Sequence, residues 1–426
     1  MYKIKEVEIT NFWHRLNAKC LFNDDVNIII GRNGTGKTTF MNILHAALAV
    51  DIDEMISNDF NEISIKLSFE GRSKTIKVRK VASDHPIFQI VEYQVSRKKY
   101  TIRAIPSDDR RISPQYRRRA VEESAELREI LGKIVSLSSL SVYRLRNGED
   151  FEIKDRSGKR ILSPVDFRLS QLKSELTQYQ FELSMGARSV SANLQKDVLA
   201  SILFAEDSLP EFKIPSSFDK DKEQSKLVSA YSRLGVLDST IRKKISFHIA
   251  TVDEAVKAIQ INNSKKNKSI QDFSTVNFAA IEAFLRTQQI TDFSLKAEAE
   301  INKINSPINL FISILKEFIP DKIFSLRSGD LIVSSLASDE IPVDKLSSGE
   351  KQLLILMIEA LLQKCKPYVY LADEPEISLH IEWQRKILPA VKRLNPFAQI
   401  IAATHSPEVA SKYKDMLIDM KDVVNG

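Results

Sequence analysis

The first hundred residues alternate between apolar and polar positions. Residues 3–10 set Ile4, Val7 and Ile9 among charged neighbours, and residues 61–69 place Ile63, Ile65, Leu67 and Phe69 on one side. A period of two marks a strand with one buried face. Residues 18–22, 74–81, 88–95 and 99–105 read the same way, with a turn at residues 70–73. These runs predict an antiparallel β-lobe of hairpins. One interval breaks the rule. Residues 26–30 form an apolar run, a glycine-rich turn follows, and residues 40–48 carry apolar side chains at helical spacing.

Further along, residues 117–130 read as a helix and residues 134–143 as a strand of small and apolar residues. From 163 to 305 the pattern is mostly helical, with long polar stretches and a lysine-rich loop at residues 262–268. No heptad is sustained over several repeats, so a long coiled-coil arm is not expected. Residues 309–318 predict a helix and residues 323–336 a hairpin. Residues 351–362 are apolar almost all round, as in a buried helix. Two short apolar runs close the series, at residues 368–372 and 399–404.

The strand, turn and helix at residues 26–48 frame the pattern G-x-x-x-x-G-K-[ST], filled by Gly31, Gly36, Lys37 and Thr38. The glycines let successive N–H groups turn inward on a phosphate, and the helix N-terminus adds a favourable dipole. The candidate ATP ligands are Asn33, Gly34, Thr35, Gly36, Lys37, Thr38 and Thr39, with the Thr38 hydroxyl placed for Mg2+. Before the buried helix stand Ser347, Ser348 and Gly349, whose hydroxyls and free N–H groups serve either an anion or a plain helix cap. The run at 368–372 ends in Asp373 and Glu374, and the run at 399–404 ends in His405. In an open parallel sheet the ligand lies beyond the carboxyl ends of the strands, so these endings converge on one nucleotide. There Asp373 holds Mg2+, Glu374 orients the attacking water, and His405 contacts the γ-phosphate. Lys37 and Asp373 come from opposite ends of the chain. The expected fold is therefore α/β, with a discontinuous nucleotide domain (residues 1–162 and 306–426) and an α-helical insertion (residues 163–305).

Taken together, these motifs resemble those of ABC-class P-loop ATPases of the soluble SMC, RecF and OLD-like kind. The nearest resemblance is to the stand-alone AAA-family ATPases of bacterial anti-phage systems, such as PARIS- or Septu-like ATPase components. In that likeness residues 31–38 are Walker A, residues 346–350 the ABC signature, residues 371–374 Walker B, and residues 378–380 the D-loop. Ser348 stands where transporters usually carry glycine, and Glu350 where they carry glutamine. No glutamine follows the strand at 134–143 to serve as a Q-loop, and Gln171 lies too far along to take that place. The resemblance implies a head-to-tail dimer or higher oligomer in which Ser347 of one subunit caps the γ-phosphate held by Lys37 of the other. It also implies a separate effector, a nuclease from an adjacent gene. The alternative it leaves open is a repair or recombination ATPase that binds DNA directly.

Composition and charge change this picture at two points. Two cysteines, Cys20 and Cys365, are too few for a disulfide framework or a zinc site, and the charged start lacks the apolar stretch of a signal peptide. A cytoplasmic protein with no membrane span is expected. The net charge of +6 is concentrated. Residues 97–119 hold Arg97, Lys98, Lys99, Arg103, Arg110, Arg111, Arg117, Arg118 and Arg119 against Asp108 and Asp109 alone. That segment is the candidate surface for nucleic acid or an acidic protein.

Overall fold

The computed structural model describes residues 1–13, 15–81, 89–104, 114–139, 151–155, 158–202, 218–264, 277–327, 329–335, 337 and 339–425. From the N-terminus, β1 (Lys3–Phe12), β2 (Leu16–Leu21) and β3 (Val26–Ile30) lead to α1 (Lys37–Ala49) and α2 (Ile52–Ser57). Then come β4 (Glu62–Phe69), β5 (Arg72–Val81), β6 (Gln89–Val95), β7 (Lys98–Ala104), α3 (Pro114–Ile134) and β8 (Leu137–Ser139). A hairpin of β9 (Phe151–Asp155) and β10 (Gly158–Leu162) precedes four long helices: α4 (Pro164–Ile202), α5 (Lys220–Arg233), α6 (Ser239–Ser264) and α7 (Phe278–Phe318). The last part holds β11 (Lys322–Arg327), β12 (Asp330–Ser335), β13 (Glu340–Ile341), α8 (Ser348–Leu362), β14 (Val369–Asp373), α9 (Ile381–Leu394) and β15 (Gln399–Ala403). It closes with α10 (Pro407–Ala410), β16 (Leu417–Asp419), α11 (Met420–Val423) and β17 (Val424–Asn425).

Contacts divide the chain into two units, Met1–Gln178 with Pro307–Gly426, and Tyr179–Ser306. Both divisions fall inside helices, α4 and α7.

The first unit contains the predicted β-lobe as an antiparallel sheet in the order β17-β2-β1-β4-β5-β6-β7. Its inward rows follow the alternation: Val7 pairs with Ile65 and Ile65 with Ile76, all fully buried. Phe69, expected on that face, is 37% exposed. It lies one residue past Ser68, the last partner of β1, where it pairs with Arg72 of β5 and meets the Tyr2 ring at 5.8 Å.

The second sheet is wholly parallel, in the order β16-β3-β15-β14-β8. The three apolar runs of the sequence are thus adjacent strands, β3, β15 and β14. Helix α1 touches strands of both sheets and shares one core with them, through Phe40, Ile43 and Leu44. The buried Gln399 side chain ties the sheets together. It accepts from the Ile4 N–H (2.8 Å) and donates to the carbonyls of Ile4 and Asn23 (2.7 Å each).

Several expectations need correction. The strand at 134–143 is only Leu137–Ser139 within the described residues, and residues 140–143 lie outside them. Asn262, Asn263 and Ser264, expected in a loop, are the end of α6, and residues 265–268 lie outside the described part. The helix at 309–318 is the end of the 41-residue α7.

The second unit packs on a helical stripe of α6, with Ile245, Ile249, Val252, Val256 and Ile259 against Leu227, Ile281 and Phe284. Among the described residues no helix is long and apolar enough to cross a membrane.

Candidate nucleotide-binding site

The site lies in the first unit, at the carboxyl ends of β3, β14 and β15. After β3 the chain enters a loop in which Arg32, Asn33 and Gly34 are exposed and Thr35 folds back, its hydroxyl donating to the Arg32 carbonyl (2.8 Å). Gly36 ends the loop with φ +92° and caps α1. A Cβ there would come within 2.8 Å of the Phe12 ring and 3.0 Å of Trp13, so only glycine allows this close approach. The Lys37 ammonium turns back on the loop and donates to the carbonyls of Gly31 (2.9 Å) and Arg32 (3.1 Å). Burial pushes the Lys37 pKa below its ordinary value, while the fields of Glu374, Asp373, Asp419 and Glu376 pull it the other way. Those carboxylates favour the charged ammonium, the form that can meet phosphate oxygens.

Thr38, in the first turn of α1, donates from its hydroxyl to Asp373 Oδ1 across 3.4 Å. Thr39, next along α1, is half-buried. Glu374 follows Asp373 with φ +50°, unusual for a residue with a Cβ, and its N–H donates to the Ala403 carbonyl (2.8 Å). This bond joins the end of β14 to the end of β15 and sets the Glu374 carboxylate beside His405. Glu374 Oε1 and His405 Nε2 are 3.7 Å apart. The structure therefore brings together Lys37, Thr38, Asp373, Glu374 and His405, drawn from three strand ends.

Ser347, Ser348 and Gly349 stand elsewhere. The Ser347 hydroxyl and N–H both bond the Glu350 carboxylate (3.0 and 2.9 Å), and the Glu350 N–H returns to Ser347 Oγ, forming a capping box at the start of α8. Burial raises the Glu350 pKa, but hydrogen bonds from Lys322 and Ser347 outweigh it and hold the carboxyl below its usual range. Ser347 and Ser348 are exposed, whereas Gly349 is buried against the loop after β14. A Cβ on Gly349 would lie 2.4 Å from the Ser378 carbonyl oxygen. Within one chain this helix start packs on the loop containing Ser378. Its hydroxyls make no bond to residues 31–39.

Three further residues stand at the site. Trp13, with φ +52°, stacks on Phe12 at 4.9 Å and flanks Gly36. Asp419 ends β16 opposite Ile30. Glu376 is buried and bonds the backbone around His405. Only Glu376 carried a signal, as an acid two positions past Glu374. Gln171, too far along the chain for a Q-loop, accepts from Arg168 (3.3 Å). Of the basic segment, Lys98 pairs with Glu126 (2.7 Å), and residues 105–113 lie outside the described part.

The residues present fit a nucleotide and its Mg2+. The loop is a backbone cradle that a side chain at Gly36 would fill, and a hydroxyl and a carboxylate, both hard oxygen donors, meet at its mouth. No group of three or more His, Cys, Asp or Glu among the described residues has metal-holding geometry, so most of the ion's other ligands would be water and phosphate.

Strand order, loop and convergent strand ends define a P-loop ATPase of ABC-like design. The chain belongs to the AAA ATPase domain family AAA_15, whose model matches residues 2–410. It is 36% identical over 94 residues to the Septu protein PtuA of Bacillus thuringiensis, across 19% of this chain and 23% of that one. It is 23% identical over 183 residues to the retron Vc95 probable ATPase of Vibrio cholerae serotype O1 biovar El Tor, across 40% of this chain and 32% of that one. The matched stretches span less than half of either relative. Among solved structures, it is similar to the Smc head domain with an extended coiled coil bound to the C-terminal domain of ScpA, derived from Pyrococcus furiosus. That likeness has a TM-score of 0.45 at 14% identity, over 96% of this chain and 92% of that one.

Proposed function

We propose that the protein binds and hydrolyses ATP at the ends of β3, β14 and β15, in a head-to-tail dimer. We propose further that the nucleotide state of this dimer holds or releases a separate effector, a nuclease of a bacterial antiviral system. The observation that carries the catalytic part is the meeting of Thr38 with Asp373 and of Glu374 with His405 on neighbouring strand ends. In this reading residues 33–39 hold the triphosphate through their N–H groups, and Lys37 exchanges loop carbonyls for phosphate oxygens. Thr38 and Asp373 would hold Mg2+, which would supply charge neutralisation at those oxygens. Glu374 orients the attacking water, and His405 holds the terminal phosphate from the neighbouring strand end. The exposed Ser347 and Ser348 at the start of α8 face a second subunit's nucleotide, a use beyond the capping bond that Ser347 makes to Glu350. The effector part rests on the relatives, a Septu protein and a retron ATPase, and on the order in sequence, in which the helical insertion separates the two segments that supply the site.

The test is Glu374→Gln. This variant keeps Lys37, Thr38 and Asp373, so it should bind ATP with near wild-type affinity, lose hydrolysis, and accumulate as a dimer in size-exclusion chromatography with ATP. Turnover at the wild-type rate would remove the role assigned to Glu374. Co-purification of the variant with the product of the adjacent gene, with and without ATP, checks the effector. Loss of that partner in every state, together with ATP-dependent binding of duplex DNA, would favour a repair ATPase instead.

A further inference from the structure

Glu376 is buried, with 8% of its surface exposed, on the loop after β14. One oxygen, Oε1, accepts from three consecutive residues at the end of β15: the Thr404 hydroxyl, the His405 N–H (3.2 Å) and the Ser406 N–H (3.2 Å). The other oxygen, Oε2, is buried without a hydrogen-bond partner. A half-satisfied buried carboxylate is a poor choice for stability, since a neutral acceptor would bind the same donors at lower desolvation cost. Charge does strengthen the grip on two backbone N–H groups. The segment so gripped carries His405, whose Nε2 stands 3.7 Å from Glu374. Gln384 braces the same segment, accepting from the Ser406 hydroxyl (2.7 Å) and donating to the Leu379 carbonyl (3.0 Å).

We infer that Glu376 is a positioning residue for His405, locking the end of β15 to the end of β14 so that the imidazole is held for turnover. The inference rests on the ATPase reading above. Glu376 makes no hydrogen bond or ion pair with residues 31–39 and reaches Lys37 only through its field, the weakest of the four carboxylates there, so its loss should lower kcat and spare nucleotide binding.

The experiment is a double-mutant cycle in the full chain, with steady-state ATPase kinetics, ATP affinity and melting temperature measured for wild type, Glu376→Ala, His405→Ala and the double variant. Glu376→Ala should lower kcat about tenfold or more with KM within about twofold, and the double variant should be no slower than His405→Ala alone. Glu376→Gln keeps an acceptor oxygen and should recover part of the lost kcat. If Glu376→Ala does not fold, Glu376→Gln in both backgrounds runs the same cycle, its loss of kcat vanishing when His405 is absent. An unchanged kcat, or an equal loss in both backgrounds, overturns the inference and leaves the ATPase reading standing. A wild-type protein that binds ATP without hydrolysing it overturns both.

Discussion

Single residues here are set by what surrounds a charge. Lys80, on β5, is the clearest case away from the site. Its ammonium donates to the carbonyls of Ile56 (3.3 Å) and Asn58 and lies 4.5 Å from the Phe60 ring. Burial pushes its pKa down to about 8, against the opposing pull of Asp59. The folded-state pKa is thus lower than that of the unfolded chain, near 10.5. Between those values the unfolded chain binds more protons, so raising the pH favours the fold. The stability of wild type relative to Lys80→Met should be flat below about pH 8 and rise from there towards pH 10.5, read from urea midpoints. A difference that stays level across that window would mean the lysine is not buried as described. None of this was legible in the sequence, where Lys80 is one cation in an alternating strand. Asp373, Glu374 and His405 were legible because each directly ends an apolar run. Trp13 and Asp419 were not. One approaches the loop through a left-handed backbone turn, and the other ends a three-residue strand too short to show a period.

At the scale of elements, the strands that build the site could be read because buried parallel strands are nearly continuous apolar runs. What joins helix to helix could not, since the partners are far apart in sequence. The start of α4 is clasped to α8 by two ion pairs, Lys351 with Asp166 (2.8 Å) and Arg168 with Glu359 (2.8 Å), over 185 and 191 residues of chain. Glu359 lies inside an otherwise apolar helix with its side chain 4% exposed, and without the contact to α4 it would be an unexplained acid in a core. Removing the cation alone leaves that carboxylate buried with less compensation. Arg168→Met should therefore destabilise the protein by about 3 kcal/mol, and Arg168→Met with Glu359→Met should recover much of the loss. Denaturant unfolding of the three proteins measures both steps. Equal losses in single and double variants would show that packing, and not charge, holds the two helices.

At the scale of the whole molecule, the capping box explains why the Ser347 side chain bonds Glu350 in one chain, but not why Ser347 and Ser348 stand exposed at the start of α8. The proposed head-to-tail dimer gives them a nucleotide to meet, and in a closed two-fold assembly each site would take Lys37 from one subunit and Ser347 from the other. Ser347→Arg should then leave ATP binding by the separate chain intact and stop turnover, because a bulky cation enters the seam. Lys37→Ala should lose nucleotide affinity outright. Neither variant alone makes a complete site. A mixed dimer makes one, from Lys37 of the first variant and Ser347 of the second, while its other site carries both lesions. With random pairing of equal amounts, half the dimers are mixed and each has one of two sites, so about a quarter of wild-type activity should return. Differently tagged chains, pulled down together, establish that mixed dimers form. Given such dimers, recovery near that level supports a site shared between subunits, and no recovery counts against it.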